Sequence, residues 1–94
     1  MPGESKPLES LPNIGQKMAE KIRKIGIKDA DEFMKRDPYE VYEEILIRFE
    51  PTLCRCGLAS IVGAKEGIVW HKITKQAAAE YERRRPGHQW MSRC

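Results

Sequence analysis

The chain of 94 residues is poor in most of the features that would declare a function outright. It has only three cysteines, Cys54, Cys56 and Cys94. An odd number, two of them a single residue apart, cannot build the loop-closing framework of a secreted disulfide scaffold, so the thiols are expected to be reduced. No zinc-site spacing joins them to His71 or His88, and two cysteines two positions apart on a helix point in different directions. Neither a metal nor another cofactor is expected, and Cys54 and Cys56 read as small core hydrophobes. A long apolar run is missing too: the most apolar stretch, 53–70, is interrupted by Arg55, Lys65 and Glu66. The opening "MPGESKPLES" lacks the basic-then-apolar layout of a secretory signal. These absences exclude a membrane partner and point to the cytoplasm. Sustained period-2 alternation between hairpin dipeptides is absent as well, which argues against a β-sheet.

What is present is an ordinary globular composition, 40% hydrophobic and 33% charged, in a chain with room for one small core. The net charge of +3 is mild, but it is unevenly spread. Residues 1–28 carry six Lys/Arg against three Asp/Glu, residues 29–50 three against eight, and residues 51–94 eight against three. Two basic ends therefore flank an acidic middle.

Helix punctuation recurs throughout, and the expected fold is all-α, a bundle of five or six helices in a single domain over 7–85, with a flexible start at 1–6 and a mobile tail at 86–94. Pro7 suits the first turn of a short helix through Leu11, which "PNIG" ends. A second helix runs from Gln16 to Ile25, where Met18, Ile22 and Ile25 recur at helical spacing before the Gly26 stop. Asp29 with Glu32 starts a short helix over 30–35. Asp37 with Pro38 starts another, which carries Val41, Tyr42, Ile45, Leu46 and Phe49 inward and breaks at Pro51. Thr52 is expected to cap a central helix that is apolar nearly all round through Val69. Its Gly57, Gly63 and Gly67 weaken it by ~0.5–1 kcal/mol each relative to alanine, so close helix approach or a kink is their expected reason. Thr74 is expected to cap the last helix, which Pro86-Gly87 ends after Arg85.

The most informative stretch is "LPNIGQKMAEKIRKIGI", residues 11–27. It joins two short helices by a tight turn in which Asn13 and Gly15 tolerate unusual φ, and the helix that follows opens with unpaired N–H groups and the positive end of its dipole. Phosphate is the natural ligand for such a site. Lys17, Lys21 and Lys24 recur at spacings of four and three on the face opposite Met18, Ile22 and Ile25.

This segment resembles the helix-hairpin-helix motif, roughly L-P-G-I-G-x-K-x-A-x-x-I, at Leu11, Pro12, Ile14, Gly15, Lys17, Ala19 and Ile22. Asn13 stands where the motif has its first glycine, and asparagine tolerates the left-handed region. Over 8–82 the chain is similar to the C-terminal domain of TfoX/Sxy competence regulators, through "LASIVGAKEGIVWHKITKQAAAEY" in particular, and "KRDPYEVYEEI" is similar to small helix-hairpin-helix proteins of the pathogenicity-locus and mitomycin-resistance kind. The resemblance implies a SAM-like bundle whose hairpin amides, at Ile14, Gly15 and Lys17 by position, hold backbone phosphates of double-stranded DNA without reading sequence. With Asn13, Gln16, Lys21 and Lys24 these residues make up the expected DNA-binding site.

Two readings follow. In the first the chain is a non-catalytic, sequence-nonspecific DNA-binding accessory domain, with Arg83, Arg84 and Arg85 either adding a phosphate contact or simply complementing their helix dipole. In the second it is a protein-interaction module with a degenerate hairpin, and the acidic segment 29–50 docks a basic partner. An enzyme is not expected: helix-hairpin-helix glycosylases need a downstream catalytic aspartate, and residues 30–94 do not have that pattern. Tyr39, Tyr42, Phe49 and Trp70 lie at helical positions where core packing explains them, so none is expected to stack on bases.

Overall fold

The computed structural model describes residues 6–90, so residues 1–5 of the expected flexible start and 91–94 of the expected tail lie outside the described residues. The regular structure is a one-turn 3-10 segment at Leu8–Ser10 followed by α1 (Gln16–Lys24), α2 (Ala30–Met34), α3 (Pro38–Arg48), α4 (Arg55–Glu66) and α5 (Trp70–Arg84). No strand occurs among the described residues. The all-α bundle expected from the sequence is the observed fold.

Several boundaries follow from local chemistry. Ile25 and Gly26 close α1, with Gly26 at φ 96° and the Ile27 N–H donating back to the Ile22 carbonyl at 3.4 Å. This wrap satisfies carbonyls that the helix end leaves open. Asp29 accepts from the Glu32 N–H at 2.9 Å, and the Glu32 carboxylate accepts from the Lys28 N–H at 2.8 Å, one residue before the cap. Asp37 accepts from the Tyr39 N–H at 2.9 Å, with Pro38 in the first turn of α3, where a missing N–H costs nothing.

Other boundaries differ from expectation. The first helix shrinks to the single turn Leu8–Ser10, whose Leu8 is completely buried. Thr52 is exposed in a turn, and Cys54 occupies the cap position of α4 without a side-chain cap bond. At the other end α4 stops at Glu66, because Gly67 is left-handed (φ 74°) and the Gly67 and Ile68 N–H groups both turn back to the Gly63 carbonyl. Ile68 and Val69 therefore belong to a loop. Thr74 caps nothing: it lies inside α5 and its hydroxyl donates to the Trp70 carbonyl at 2.9 Å.

The core is built around α4, which lies against α3 on one side and α5 on the other and buries Leu58, Ala59, Ile61, Val62 and Ala64. Val41, Tyr42 and Ile45 of α3 and Ile73, Ala77 and Tyr81 of α5 close over it, as their helical spacing predicts. Burying each large aliphatic side chain of this set contributes ~1.5–3 kcal/mol. Tyr42 meets Tyr81 edge-on at 5.2 Å, and its hydroxyl donates to the Leu53 carbonyl at 2.7 Å. Phe49, expected inward, is exposed just past the end of α3, where Lys24 and Arg48 stand over its ring at 5.7 and 5.3 Å.

Two rings of the C-terminal segment, His88 and Trp90, pack back onto the bundle while Pro86, Gly87 and Gln89 are exposed. Trp90 lies 4.6 Å from the His88 ring and 5.8 Å from Tyr81, with the Arg55 guanidinium over its face at 5.0 Å. Its indole N–H donates to Glu82 at 2.8 Å.

Candidate nucleic-acid interface

The turn between the 3-10 segment and α1 is closed by the Ile14 N–H, which donates to the Leu11 carbonyl at 3.3 Å, while the Ile14 side chain is buried as the turn's anchor. Asn13 is the only non-glycine with positive φ among the described residues, at 68°. Its side chain faces inward rather than toward a ligand. The amide Nδ2 donates to the Ile68 carbonyl at 2.7 Å and Oδ1 accepts from the Trp70 N–H at 3.0 Å. Asn13 thus ties the turn to the α4–α5 loop and caps the first residue of α5 from 57 positions away.

Gly63 makes this tie possible. A Cβ at position 63 would lie 2.3 Å from the Ile68 carbonyl oxygen and 2.5 Å from Asn13 Nδ2. The expected close approach at this glycine is therefore real, but what approaches is the turn and the following loop.

Gly15 has a different role from the one its φ tolerance suggested. It caps α1 in an extended conformation, φ −90° and ψ −175°, which any residue adopts. A Cβ there would meet nothing within 4 Å. No side chain caps α1, no acidic residue stands in its first turn, and the N–H groups of Gly15, Gln16, Lys17 and Met18 meet no acceptor among the described residues. The result is an open, uncapped helix N-terminus with exposed Gln16 and Lys17 beside it. Unpaired N–H groups at the positive end of a helix dipole favour an anion.

The lysine stripe is less uniform than its spacing implies. Lys17 and Lys24 are exposed, but Lys21 is half-buried and paired with Glu50 at 2.7 Å. Arg23, on the neighbouring face, is held by both carboxylate oxygens of Glu9 at 2.7 and 3.1 Å. The basic triplet at the end of α5 is occupied throughout. Arg83 pairs with Glu80, Arg84 with Glu80 and Asp37, and Arg85 with Glu43. These arginines hold α5 to α3 and to their own helix.

The pairing is mirrored in the titration of Glu80 and Asp37. Glu80 is pulled down to about 2 by its hydrogen bonds to Arg83 and Arg84. At Asp37 burial pushes the carboxyl upward, but the Arg84 guanidinium and the Tyr39 N–H together outweigh it and hold the group below its ordinary value. Other acids of the segment are ion-paired too: Glu44 meets Arg36 and Arg48, and Glu50 meets Lys21.

Sequence reasoning missed the surface next to the turn. Because Asn13 holds the Trp70 N–H, the first turn of α5 abuts the hairpin, and this turn carries Trp70 at 38% exposure and Val69, just before it, at 42%. His71, Lys72 and Lys75 are exposed on the same helix. Trp70 was expected in the core; it is outside because α5 begins at it. No local signal marks that start, since the cap comes from residue 13.

No group of three or more metal-ligating side chains gathers among the described residues, and no helix among them is long and apolar enough to cross a membrane. The model of a family described as Cdd1, pathogenicity locus, matches residues 3–90. The crystal structure of an uncharacterized protein from Listeria monocytogenes superposes with a TM-score of 0.71 at 26% identity, covering 87% of this chain and 97% of that one. No curated protein matches.

Proposed function

The chain belongs to the Cdd1 pathogenicity-locus family, and we propose that it is a non-catalytic, cytoplasmic accessory domain that binds double-stranded DNA through its backbone phosphates at the turn 13–17, without reading sequence. The observation that carries this reading is the open N-terminus of α1. Gly15 leaves it without a side-chain cap and without a Cβ in front of it, and four amides have no acceptor among the described residues. A helix start that served only packing would gain stability from Ser, Asp or Asn at the cap. Lys17 and Lys24 supply exposed positive charge on the same helix. The likeness of "LPNIGQK" to the helix-hairpin-helix motif, and of the chain to the TfoX C-terminal domain, supports the same reading.

Within this site the roles differ. Gly15, Gln16 and Lys17 offer amides and one ammonium group to a phosphate, Ile14 anchors the turn, and Asn13 holds the turn in place rather than touching the ligand. Lys21 enters only if it leaves Glu50. Two neutralised phosphates give a log–log salt slope of about −2. Fluorescence anisotropy of a labelled random-sequence duplex tests the reading. Wild type is expected to bind with that slope, and a folded Lys17→Glu/Lys24→Glu variant to lose binding. Salt-independent binding, or none, would overturn it.

A protein-contact reading is favoured by one observation, Ile47, which is 71% exposed on the outer face of α3 beside Glu40, Glu43 and Glu44. It becomes the leading reading if wild type fails to bind DNA.

A further inference from the structure

We infer that Trp70 is a base-stacking platform attached to the phosphate-binding turn, so that the DNA form this protein prefers is duplex carrying unpaired bases next to the gripped backbone. The inference rests on the DNA-binding reading above and goes beyond it by naming the form of DNA. An indole at 38% exposure, preceded by a valine at 42%, needs an explanation in a protein whose other tryptophan is packed among Tyr42, Tyr81 and His88. Trp70 is also positioned firmly. Its backbone N–H is fixed by Asn13 Oδ1 at 3.0 Å, the preceding loop is fixed by Asn13 Nδ2 on the Ile68 carbonyl, and Gly63 leaves the space that this second contact needs.

The surroundings suit a nucleic acid rather than an apolar partner. Lys72 and Lys75 are exposed on the same helix, and neither meets an acidic side chain among the described residues. There is no acidic residue in the first turn of α5 either. The His71 ring lies perpendicular to the indole with centroids 5.7 Å apart, and Trp70 keeps its 38% exposure beside it. A flat aromatic in a cationic setting takes any base, because every base has a π-face, whereas in intact duplex those faces are covered by their neighbours. The hairpin then grips phosphates while Trp70 accepts the first base that has no partner.

The test compares three labelled DNAs by anisotropy at one salt concentration: a blunt duplex, the same duplex with a short single-stranded tail, and the same tailed duplex with the tail abasic. The abasic tail keeps the phosphates and removes the stacking faces. Wild type is expected to bind the base-bearing tail about tenfold more tightly than the abasic one, the loss typical of one stacked base. Trp70→Ala should bind all three alike at the wild-type level for blunt duplex, and Trp70→Phe should recover part of the preference. Quenching of tryptophan emission by unlabelled tailed duplex in wild type, absent in Trp70→Phe, reads the same contact without relying on the alanine variant folding. Equal wild-type affinity for the base-bearing and abasic tails overturns the inference while leaving duplex binding intact. Failure of wild type to bind any of the three overturns both it and the DNA-binding reading.

Discussion

Asn13 is the residue on which the arrangement of the site turns. It adopts a left-handed backbone conformation, which for most residues costs ~1–2 kcal/mol, and it uses both ends of its amide to join the hairpin to α5. Glycine at this position would relieve the backbone but remove two hydrogen bonds worth ~1 kcal/mol each. Asn13→Gly should therefore be destabilised by about 1 kcal/mol and Asn13→Ala by about 2–3, since alanine loses the bonds and bears the conformation poorly. Urea denaturation checks the order, and an Asn13→Gly protein as stable as wild type would contradict it. The glycines of α4 offer a sharper contrast. Gly63→Ala drives a Cβ to 2.3 Å from a backbone oxygen, so it should cost about 2–3 kcal/mol despite the better helix propensity of alanine. Gly57→Ala meets side chains rather than backbone, Leu53 Cδ1 at 2.8 Å and Cγ at 3.1 Å, which can move. It should fall within about 1 kcal/mol of wild type.

At the scale of the element, α1 carries opposing demands. Its N-terminus lacks a cap, and its last turn is rich in Lys21, Arg23 and Lys24, the arrangement that suits the negative end of the dipole. Gly15→Asp would supply the missing acceptor and place a negative charge at the positive end of the helix. Its backbone is already extended and no atom lies in the way, so stability should rise by about 0.5–1 kcal/mol. The same carboxylate would occupy the amides and repel a phosphate, and DNA binding should be lost. Thermal unfolding and anisotropy measured on this one variant separate the two effects: a gain in stability with unchanged DNA affinity would sink the phosphate role of the helix start.

Across the whole molecule, ion pairs between distant segments fasten the acidic middle to the basic end. Glu43 with Arg85 and Asp37 with Arg84 join α3 to α5, and Glu50 with Lys21 joins the end of α3 to α1. Each exposed pair is worth little alone, and salt screens it further. Two of the paired carboxylates, Glu80 and Asp37, make stability depend on pH with a definite sign. Glu80 is about 2 when folded against an ordinary 4.5, and Asp37 is also lowered, so their contribution is complete above the ordinary carboxylate range and is lost as pH falls toward 2. The urea midpoint of wild type should fall slightly between pH 7 and 5, where His88 acts, and decline more steeply below that, and Glu80→Gln should show a shallower decline in the lower range. His88, whose burial keeps it below its ordinary value despite Glu82 and Glu43 nearby, adds a loss that begins as pH drops below about 6.5.

Read alone, the sequence determined the all-α fold, the inward faces of α1, α3 and α4, the caps at Asp29 and Asp37 and the glycine stop after Ile25. Each of these is written in residues no more than about four positions apart, the range over which helix periodicity and capping operate. The uncapped start of α1 was legible for the same reason. Thr52 and Thr74 misled because a threonine before an apolar run is only a potential cap, and whether it caps depends on where the chain has already begun to turn. The tertiary structure alone decided that α5 starts at Trp70, that Trp70 is exposed beside the hairpin, that Asn13 faces inward, and that Lys21, Arg84 and Arg85 have acidic partners in distant segments. The contacts that fix the α5 start and hold Arg85 span 57 and 42 positions of the chain, and hydrogen bonds and ion pairs across such distances exist only once the core has brought their ends together.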